Sequence, residues 1–287
     1  MSYSPAFKRW WRFCRDNQAD IFEPTRNQLL SFFTSEFESG LAYNSVNCSR
    51  AAVSLLTNGA HAGDPLLNRF FKGCANLRPP LPRYELTWDP QLVLTHLREK
   101  PNEELSLAAL SQKLLLLLAL ATGQRLQTLA SIEIDNIWFE QEAAFIKIPA
   151  RLKTSAIGRS QPILTLPFFP ESNVCPAKTL EVFLARTAPM RASVRRLFLT
   201  LRPPARPVGT QTLARWARFT LRESGVEARF AAHSMRHASA AKRGGASLAT
   251  IFHAAGWTAN SSAFATFYDR PVASSKSAYA KAVFSQS

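Results

Sequence analysis

Two histidines flank an arginine in the segment HSMRH, residues 233–237. The sequence around it, RFAAHSMRHASAAKRGG, is rich in small and apolar residues, which predicts a helix that faces mostly inward. Removing the Arg236 charge from water costs several kcal/mol or more unless a partner compensates it. That partner is either an acidic side chain elsewhere in the fold or an anion brought by a ligand.

Four other segments carry residues that can act on a phosphate: Arg125 in TGQR, Lys153 in RLKTSAIGR, Trp257 in AGW and Tyr268 in FATFYDRP. Each residue alone has an ordinary structural explanation, such as an ion pair, an exposed hairpin lysine or a core aromatic. Together, two arginines, a lysine and a histidine can surround one phosphodiester and neutralise the charge of its transition state. A tyrosine hydroxyl can then act as nucleophile and form a covalent phosphotyrosine without a metal ion.

A metal site is the alternative for His233 and His237, which are four residues apart. Metalloprotease helices place a glutamate beside the first histidine, and this chain has Ser234 there. The four cysteines form no CxxC pair and lie at no metal-ligand spacing from a histidine, so neither structural zinc nor a disulfide framework is expected. We therefore expect no metal and no other cofactor.

The charge of the chain indicates a polyanionic partner. The formal net charge is +15, and between Lys147 and Arg243 there are 18 Lys and Arg residues against 4 Asp and Glu. Such an excess is most often a nucleic-acid signature. The longest apolar run, KLLLLLALATG at 113–123, is too short to span a bilayer and predicts a buried core helix.

The pattern along the chain predicts a mainly α protein with a small antiparallel β-sheet, which is the α+β class. Residues 1–77 show four amphipathic helical segments and predict a small helical domain. Prolines in RPPLPRYELTW exclude a helix over 78–88 and predict a stiff linker. Residues 89–287 predict further helices, interrupted over 131–169 by two or three strands.

The order of these motifs resembles that of the tyrosine recombinase (phage-integrase-like) superfamily: T-G-x-R, a hairpin lysine, H-x-x-R-H, G-W and then a tyrosine. Finer stretches resemble its eukaryotic mobile-element branch of DIRS-type retrotransposons and Cryptons. They are NLRPPLPRYELTWD, ATGQRLQTL, LKTS…QP…LPFF and FYDRPV. The resemblance implies that 1–77 is a core-binding, SAM-like DNA-binding domain and 89–287 the catalytic domain.

The resemblance also implies a role for each site residue. Tyr268 would attack the scissile phosphate and form a 3′-phosphotyrosine, and Arg125 and Arg236 would hold the non-bridging oxygens. Lys153 would protonate the leaving 5′-oxygen and His233 would assist proton transfer at the tyrosine. Trp257, at a position that is histidine in many relatives, would donate an N–H to the phosphate or support the site.

The sequence departs from the family pattern at several points, and two of the assigned roles keep a competing residue. An acid often follows the first arginine by three residues, where this chain has Thr128. The interval of 11 residues between Trp257 and Tyr268 is slightly long, so Tyr279 stays an outside candidate for the nucleophile. Lys147 competes with Lys153 for the lysine role but lies inside the strand pattern IKIP. The first predicted helix begins near the initiating methionine, as expected of a piece of a longer polyprotein or a shortened copy.

Double-stranded DNA is the expected partner, bound mostly through phosphate contacts whose affinity falls with salt. The predicted DNA-binding residues are Arg50, Arg83, Arg159, Arg215 and Arg218. The last two belong to a basic helix over 210–223, for which a merely solvated face is the alternative. The family resemblance implies a homotetramer on DNA, with the tail 272–287 docking on a neighbouring subunit, and a nuclear location; no membrane association is expected.

Three other functions remain open from the sequence. A DNA-binding protein derived from a mobile element can retain the fold without activity. A type IB topoisomerase-like enzyme shares the phosphotyrosine chemistry without strand exchange. A zinc hydrolase would rest on the two histidines. Covalent strand cleavage separates the first from the expected recombinase, and insensitivity to a chelator excludes the third.

Overall fold

A computed structural model describes residues 3–150 and 161–240, together with residues 264, 268, 270 and 272. The chain divides into two compact units between Pro82 and Arg83. This division falls inside the Pro-rich segment 78–88, where the chain has no helix between Leu77 and Pro90. Among the residues described, no helix combines the length and the apolar character that a membrane crossing requires.

The first unit consists of four helices packed on an aromatic core. They are α1 (Ser4–Asn17), α2 (Arg26–Glu38), α3 (Tyr43–Leu56) and α4 (Pro65–Leu77). Trp10 and Phe32 are buried in the centre, with ring centroids 4.9 Å apart. Side chains fix two helix starts: Thr25 and Gln28 form a capping box at α2, and Asp64 accepts two backbone N–H bonds at α4.

The second unit surrounds one helix that is buried on all sides. The helices among its described residues are α5 (Pro90–Arg98), α6 (Leu107–Thr122), α7 (Leu126–Ala130), α8 (Pro176–Thr187), α9 (Thr210–Glu223) and α10 (Met235–Ala240). The leucine run of α6 is inaccessible to solvent and contacts α8, α9 and α10. A helix that is apolar all round is stable only in such a core, so the prediction of a core helix at 113–123 is confirmed.

The sheet of the second unit has three antiparallel strands in the order β1 (Ile137–Phe139), β2 (Ala143–Lys147) and β3 (Ile163–Pro167). Ile146 of the central strand lies opposite Ile137 on one side and Leu164 on the other. The described residues are thus mostly helical with one small antiparallel sheet, which confirms the predicted α+β class.

Candidate active site

The first site residue is positioned by the end of helix α6. Gly123 terminates the helix in the left-handed conformation, with φ of 59°, and its N–H donates to the Ala119 carbonyl at 3.0 Å. A glycine adopts this conformation without the strain that a Cβ introduces. The chain then turns, and Arg125 becomes the N-cap of α7, half-buried at the end of the core helix.

The HSMRH segment is not one continuous helix. Ala232–Ser234 form a 3₁₀ turn, and α10 begins only at Met235. The expectation of a segment that faces mostly inward is confirmed, although His233 itself is exposed. Arg236 and His237 are 4% and 6% exposed. The change of helix type places the two histidines in different environments although they are four residues apart.

Helix α10 docks on the end of α6 and brings the two arginines together. Arg236 Nη1 donates to the Gly123 carbonyl at 2.9 Å, and Ser239 Oγ donates to the Leu120 carbonyl at 2.7 Å. Burial and the nearby positive charge of Arg125 lower the pKa of Arg236 to about 10. The two guanidinium groups thus create a concentrated positive potential, which a phosphate group would compensate.

Tyr268 lies against this cationic group. The Arg236 guanidinium carbon is 5.4 Å from the centroid of the Tyr268 ring, and the His237 and Tyr268 ring centroids are 4.7 Å apart. The Tyr268 N–H donates to the Phe264 carbonyl at 2.8 Å. The structure therefore connects four residues of the predicted set. Arg236 lies against Tyr268 and feels the charge of Arg125, and the His233 ring contacts His237, whose ring packs on Tyr268.

His237 is a neutral member of the site. Burial and, to a lesser degree, the charges around it lower the pKa of this imidazole to about 4. Its Nδ1 atom is buried and has no hydrogen-bond partner among the residues that the structure describes. Within those residues no three His, Cys, Asp or Glu side chains gather into a group able to hold a metal ion. His237 thus contributes an uncharged ring that packs on the tyrosine.

Sequence reasoning missed two residues that support the site from the segment before α5. Trp88 Nε1 donates to Ser234 Oγ at 2.8 Å, and the Ala231 N–H donates to the Tyr84 hydroxyl at 3.0 Å. Both aromatic side chains are buried in the second unit. Their only sequence signal is the stretch PRYELTWD, because nothing local connects residue 84 or 88 to residues almost 150 positions away.

Three predicted residues, Lys153, Arg159 and Trp257, lie outside the described residues. Lys147, the competitor for the lysine role, is exposed at the end of β2. Because Lys153 lies outside the described residues, the exposure of Lys147 does not decide between the two lysines.

The predicted DNA-binding residues that the structure describes differ in their surroundings. Arg215 and Arg218 are exposed on α9, and Arg83 is exposed next to Tyr84. Arg50 is different, because it donates to Asn68 Oδ1 at 2.5 Å and lies 4.7 Å from the Phe71 ring centroid. Arg50 is therefore engaged in the packing of the first unit, whereas the other three guanidinium groups are open to solvent.

Comparisons with known proteins agree with this geometry. The family model described as "Phage integrase family" matches residues 93–271. No curated protein matches the chain significantly.

Solved structures with the same fold include XerH site-specific recombinase bound to palindromic difH substrate in a post-cleavage complex. That structure has a TM-score of 0.58 and 15% identity, over 91% of this chain and 71% of that one. The Tn1549 transposon integrase in complex with transposon right-end DNA gives a TM-score of 0.57 and 15% identity, over 99% and 94%. A lambda integrase tetramer bound to a Holliday junction gives a TM-score of 0.51 and 15% identity, over 89% of this chain and 71% of that one.

Proposed function

The chain belongs to the phage integrase family of DNA-cleaving and rejoining enzymes, and from this premise we propose that it is a site-specific recombinase that uses Tyr268 as its nucleophile. The observation that carries the proposal is the contact of Tyr268 with the buried Arg236, beside the positive charge of Arg125. A tyrosine next to two guanidinium groups can attack a phosphodiester whose charge those groups stabilise.

In the proposed cleavage step, the Tyr268 oxygen forms a bond to the scissile phosphorus and the bond to the 5′-oxygen breaks. The tyrosine proton passes to His233, and Lys153 supplies a proton to the leaving 5′-oxygen. Arg125 and Arg236 hold the non-bridging oxygens, with Trp257 as a further N–H donor or support. The products are a 3′-phosphotyrosine and a free 5′-hydroxyl.

The rejoining step is the reverse of the first. A 5′-hydroxyl, from the same strand or from a partner duplex, attacks the phosphotyrosine and releases Tyr268. One phosphodiester is exchanged for another, so the energy of the bond is retained and no ATP is needed. The arginines take over the electrostatic role that a metal ion has in other phosphoryl-transfer sites, so we expect no cofactor.

The proposed substrate is double-stranded DNA. It is supported by the net charge of +15 and by the exposed Arg83, Arg215 and Arg218. Solved relatives of the same fold are bound to DNA as a dimer at a core site and as a tetramer at a Holliday junction. We extend this to a homotetramer on DNA for this chain, with the tail 272–287 docking between subunits.

The biological setting that we propose is the integration or excision of a mobile element. The motifs NLRPPLPRYELTWD and FYDRPV, similar to those of the eukaryotic mobile-element branch, support this setting. A nuclear site of action follows from the same similarity. Expression of a tagged chain in eukaryotic cells, with microscopy of its location, tests that part of the proposal.

The experiment that tests the function uses supercoiled plasmid, carrying the ends of the element, in the presence of EDTA and with an SDS quench. Wild-type protein is expected to give nicked or relaxed DNA with covalently attached protein, whereas Tyr268→Phe gives none. Adducts from both proteins would assign the nucleophile to another tyrosine. Binding without any adduct would support the inactive DNA-binding alternative, and relaxation without exchange between two sites would support the topoisomerase-like one.

A further inference from the structure

The segment that precedes α5 reaches into the site through two aromatic side chains. Tyr84 is 7% exposed and Trp88 is 2% exposed. The Tyr84 hydroxyl accepts the hydrogen bond from the Ala231 N–H, and the Trp88 indole donates to the buried Ser234 hydroxyl. His233 lies between these two anchored positions, so its backbone is fixed from both sides.

The Tyr84 ring contacts both imidazoles of the site. It is stacked on His233, with centroids 5.4 Å apart and an interplanar angle of 26°. It meets His237 edge-on, at 5.6 Å and 86°. Aromatic pairs of this kind contribute about 0.5–1.5 kcal/mol beyond their buried area, which is enough to favour one ring orientation over its alternatives.

The stacking also determines how His233 meets water. This residue is exposed overall, yet the ring face against Tyr84 is covered. Burial and, second, the positive charge of Arg83 lower the pKa of His233 below its ordinary value. The other ring close to it is that of His237, which is neutral at pH 7. A neutral imidazole can accept a proton, which is the role that the proposed function gives to His233.

We propose that Tyr84 is a positioning residue that orients His233 and covers one face of its ring, so that this imidazole stays available as a proton acceptor next to His237, the ring that packs on Tyr268. This inference rests on the proposed function. It links the chain between the two units to the chemistry, because Arg83 and Tyr84 follow directly on the division at Pro82. A purely structural role for Tyr84 would require only its volume in the core.

The two roles are separated by Tyr84→Leu, which keeps apolar volume but loses the ring, and Tyr84→Phe, which keeps the ring. Phe198→Leu is the matched control, since Phe198 is a 2% exposed core ring of the same unit that packs on Phe183 and Trp216. All three are compared with wild type by NMR titration of the histidine rings in the free protein. The His233 signal is assigned with His233→Gln.

Tyr84→Leu is expected to raise the pKa of His233 towards the ordinary value of about 6.5. Tyr84→Phe is expected to leave this pKa close to that of wild type, and Phe198→Leu to leave it unchanged. Equal pKa values of His233 in Tyr84→Leu and Phe198→Leu would overturn the proposal. If Tyr84→Leu does not fold, a nuclear Overhauser contact between the two rings in wild-type protein decides, and its absence overturns the proposal.

Activity gives a second readout that identifies which idea has failed. The single-turnover rate of covalent adduct formation is measured against pH, and its acidic limb follows the protonation of His233. In Tyr84→Leu this limb is expected to move to higher pH by the same shift that NMR reports. If wild type forms no adduct while the NMR result stands, the proposed function fails and the positioning contact survives. If adducts form with an unmoved limb, the positioning proposal fails alone.

Discussion

Replacing Arg236 by methionine is expected to stabilise the free protein while abolishing strand cleavage. The guanidinium group is 4% exposed on α10, and burial together with the charge of Arg125 lowers its pKa to about 10. The folded protein therefore holds this charge at a cost, in a position where a DNA phosphate would relieve it. Methionine fills similar volume without the charge.

The magnitude follows from the pKa of Arg236. Its value in the fold, about 10, lies roughly 2.5 units below the ordinary value for arginine. Each unit corresponds to about 1.4 kcal/mol, so the charged form is disfavoured by about 3–4 kcal/mol. The substitution also removes the hydrogen bond to the Gly123 carbonyl, and an unpaired buried acceptor costs about 1–3 kcal/mol. With the middle of that range, about 2 kcal/mol, the expected net gain in the free energy of unfolding is about 1–2 kcal/mol.

The assay is urea unfolding at pH 7, followed by circular dichroism, for wild type and Arg236→Met. Arg222→Met is the control, because Arg222 is exposed on α9 and surface substitutions usually change stability by less than about 0.5 kcal/mol. The series is repeated with sulfate, a phosphate analogue. Its general salting effect acts on every variant, so a larger gain for wild type than for Arg236→Met reports occupancy of the site.

A loss of about 3–5 kcal/mol in Arg236→Met would refute the reasoning, because that is the cost of breaking a buried ion pair. A carboxylate of the protein would then compensate the Arg236 charge, and no anion from a ligand would be needed at the site. Equal gains from sulfate in wild type and Arg236→Met would contradict the binding of an anion by this guanidinium group.

Four further substitutions test the electrostatics and packing of the second unit. Lys113 is 1% exposed, and burial lowers its pKa to about 8. As the pH rises, the folded state loses the ammonium proton before the unfolded state does. The free energy of unfolding should therefore rise between about pH 8 and 10.5. Lys113→Met should remove this rise and gain about 1–2 kcal/mol at pH 7 in urea unfolding, net of the lost bond to the Lys100 carbonyl. The pKa of His237 is lowered to about 4. As the pH falls from about 6.5, the unfolded state therefore protonates this imidazole before the folded state does, and the free energy of unfolding should drop by up to about 3 kcal/mol by pH 4. His237→Gln should flatten that part of the acid profile. Trp88→Phe and Ser234→Ala each leave one buried group unpaired and should each cost about 1–3 kcal/mol, whereas the double variant should cost about 1 kcal/mol less than the sum.

Each of these expectations has an outcome that contradicts it. A slope in the alkaline stability profile that persists in Lys113→Met would assign the titration to another group. An unchanged acid profile in His237→Gln would mean that this imidazole titrates normally. Strict additivity in the double-mutant cycle would mean that the indole and the hydroxyl of Trp88 and Ser234 do not interact.

Local sequence signals predicted the helices of the first unit well. The pattern of polar and apolar residues predicted four helices within 1–77, and the structure has four there. The side chains of Thr25 and Asp64 cap two of them from within the same few residues. The leucine run of α6 also predicted its own structure, because only a helix in the core can bury apolar residues on all sides. The sheet was predicted in its position and its antiparallel pairing.

The supporting parts of the site could not be predicted in this way. The Ser234 hydroxyl, at the end of the 3₁₀ turn, is bonded to Trp88, which is a contact between distant parts of the chain. The proximity of Arg125 and Arg236 follows from the docking of α10 on α6, which the sequence alone does not reveal. The chemical types of these residues were readable, but their mutual positions come from tertiary packing.

The most direct test of the account is the identity of the residue that becomes covalently attached to DNA. Adducts are trapped with SDS, the DNA is digested by nuclease, and tryptic peptides are analysed by mass spectrometry. Lys276 lies between Tyr268 and Tyr279, so trypsin places these two candidates in different peptides. The account predicts a nucleotide remnant on the peptide that contains Tyr268, and none in the Tyr268→Phe protein. A remnant on the peptide with Tyr279, or on any other residue, would contradict it.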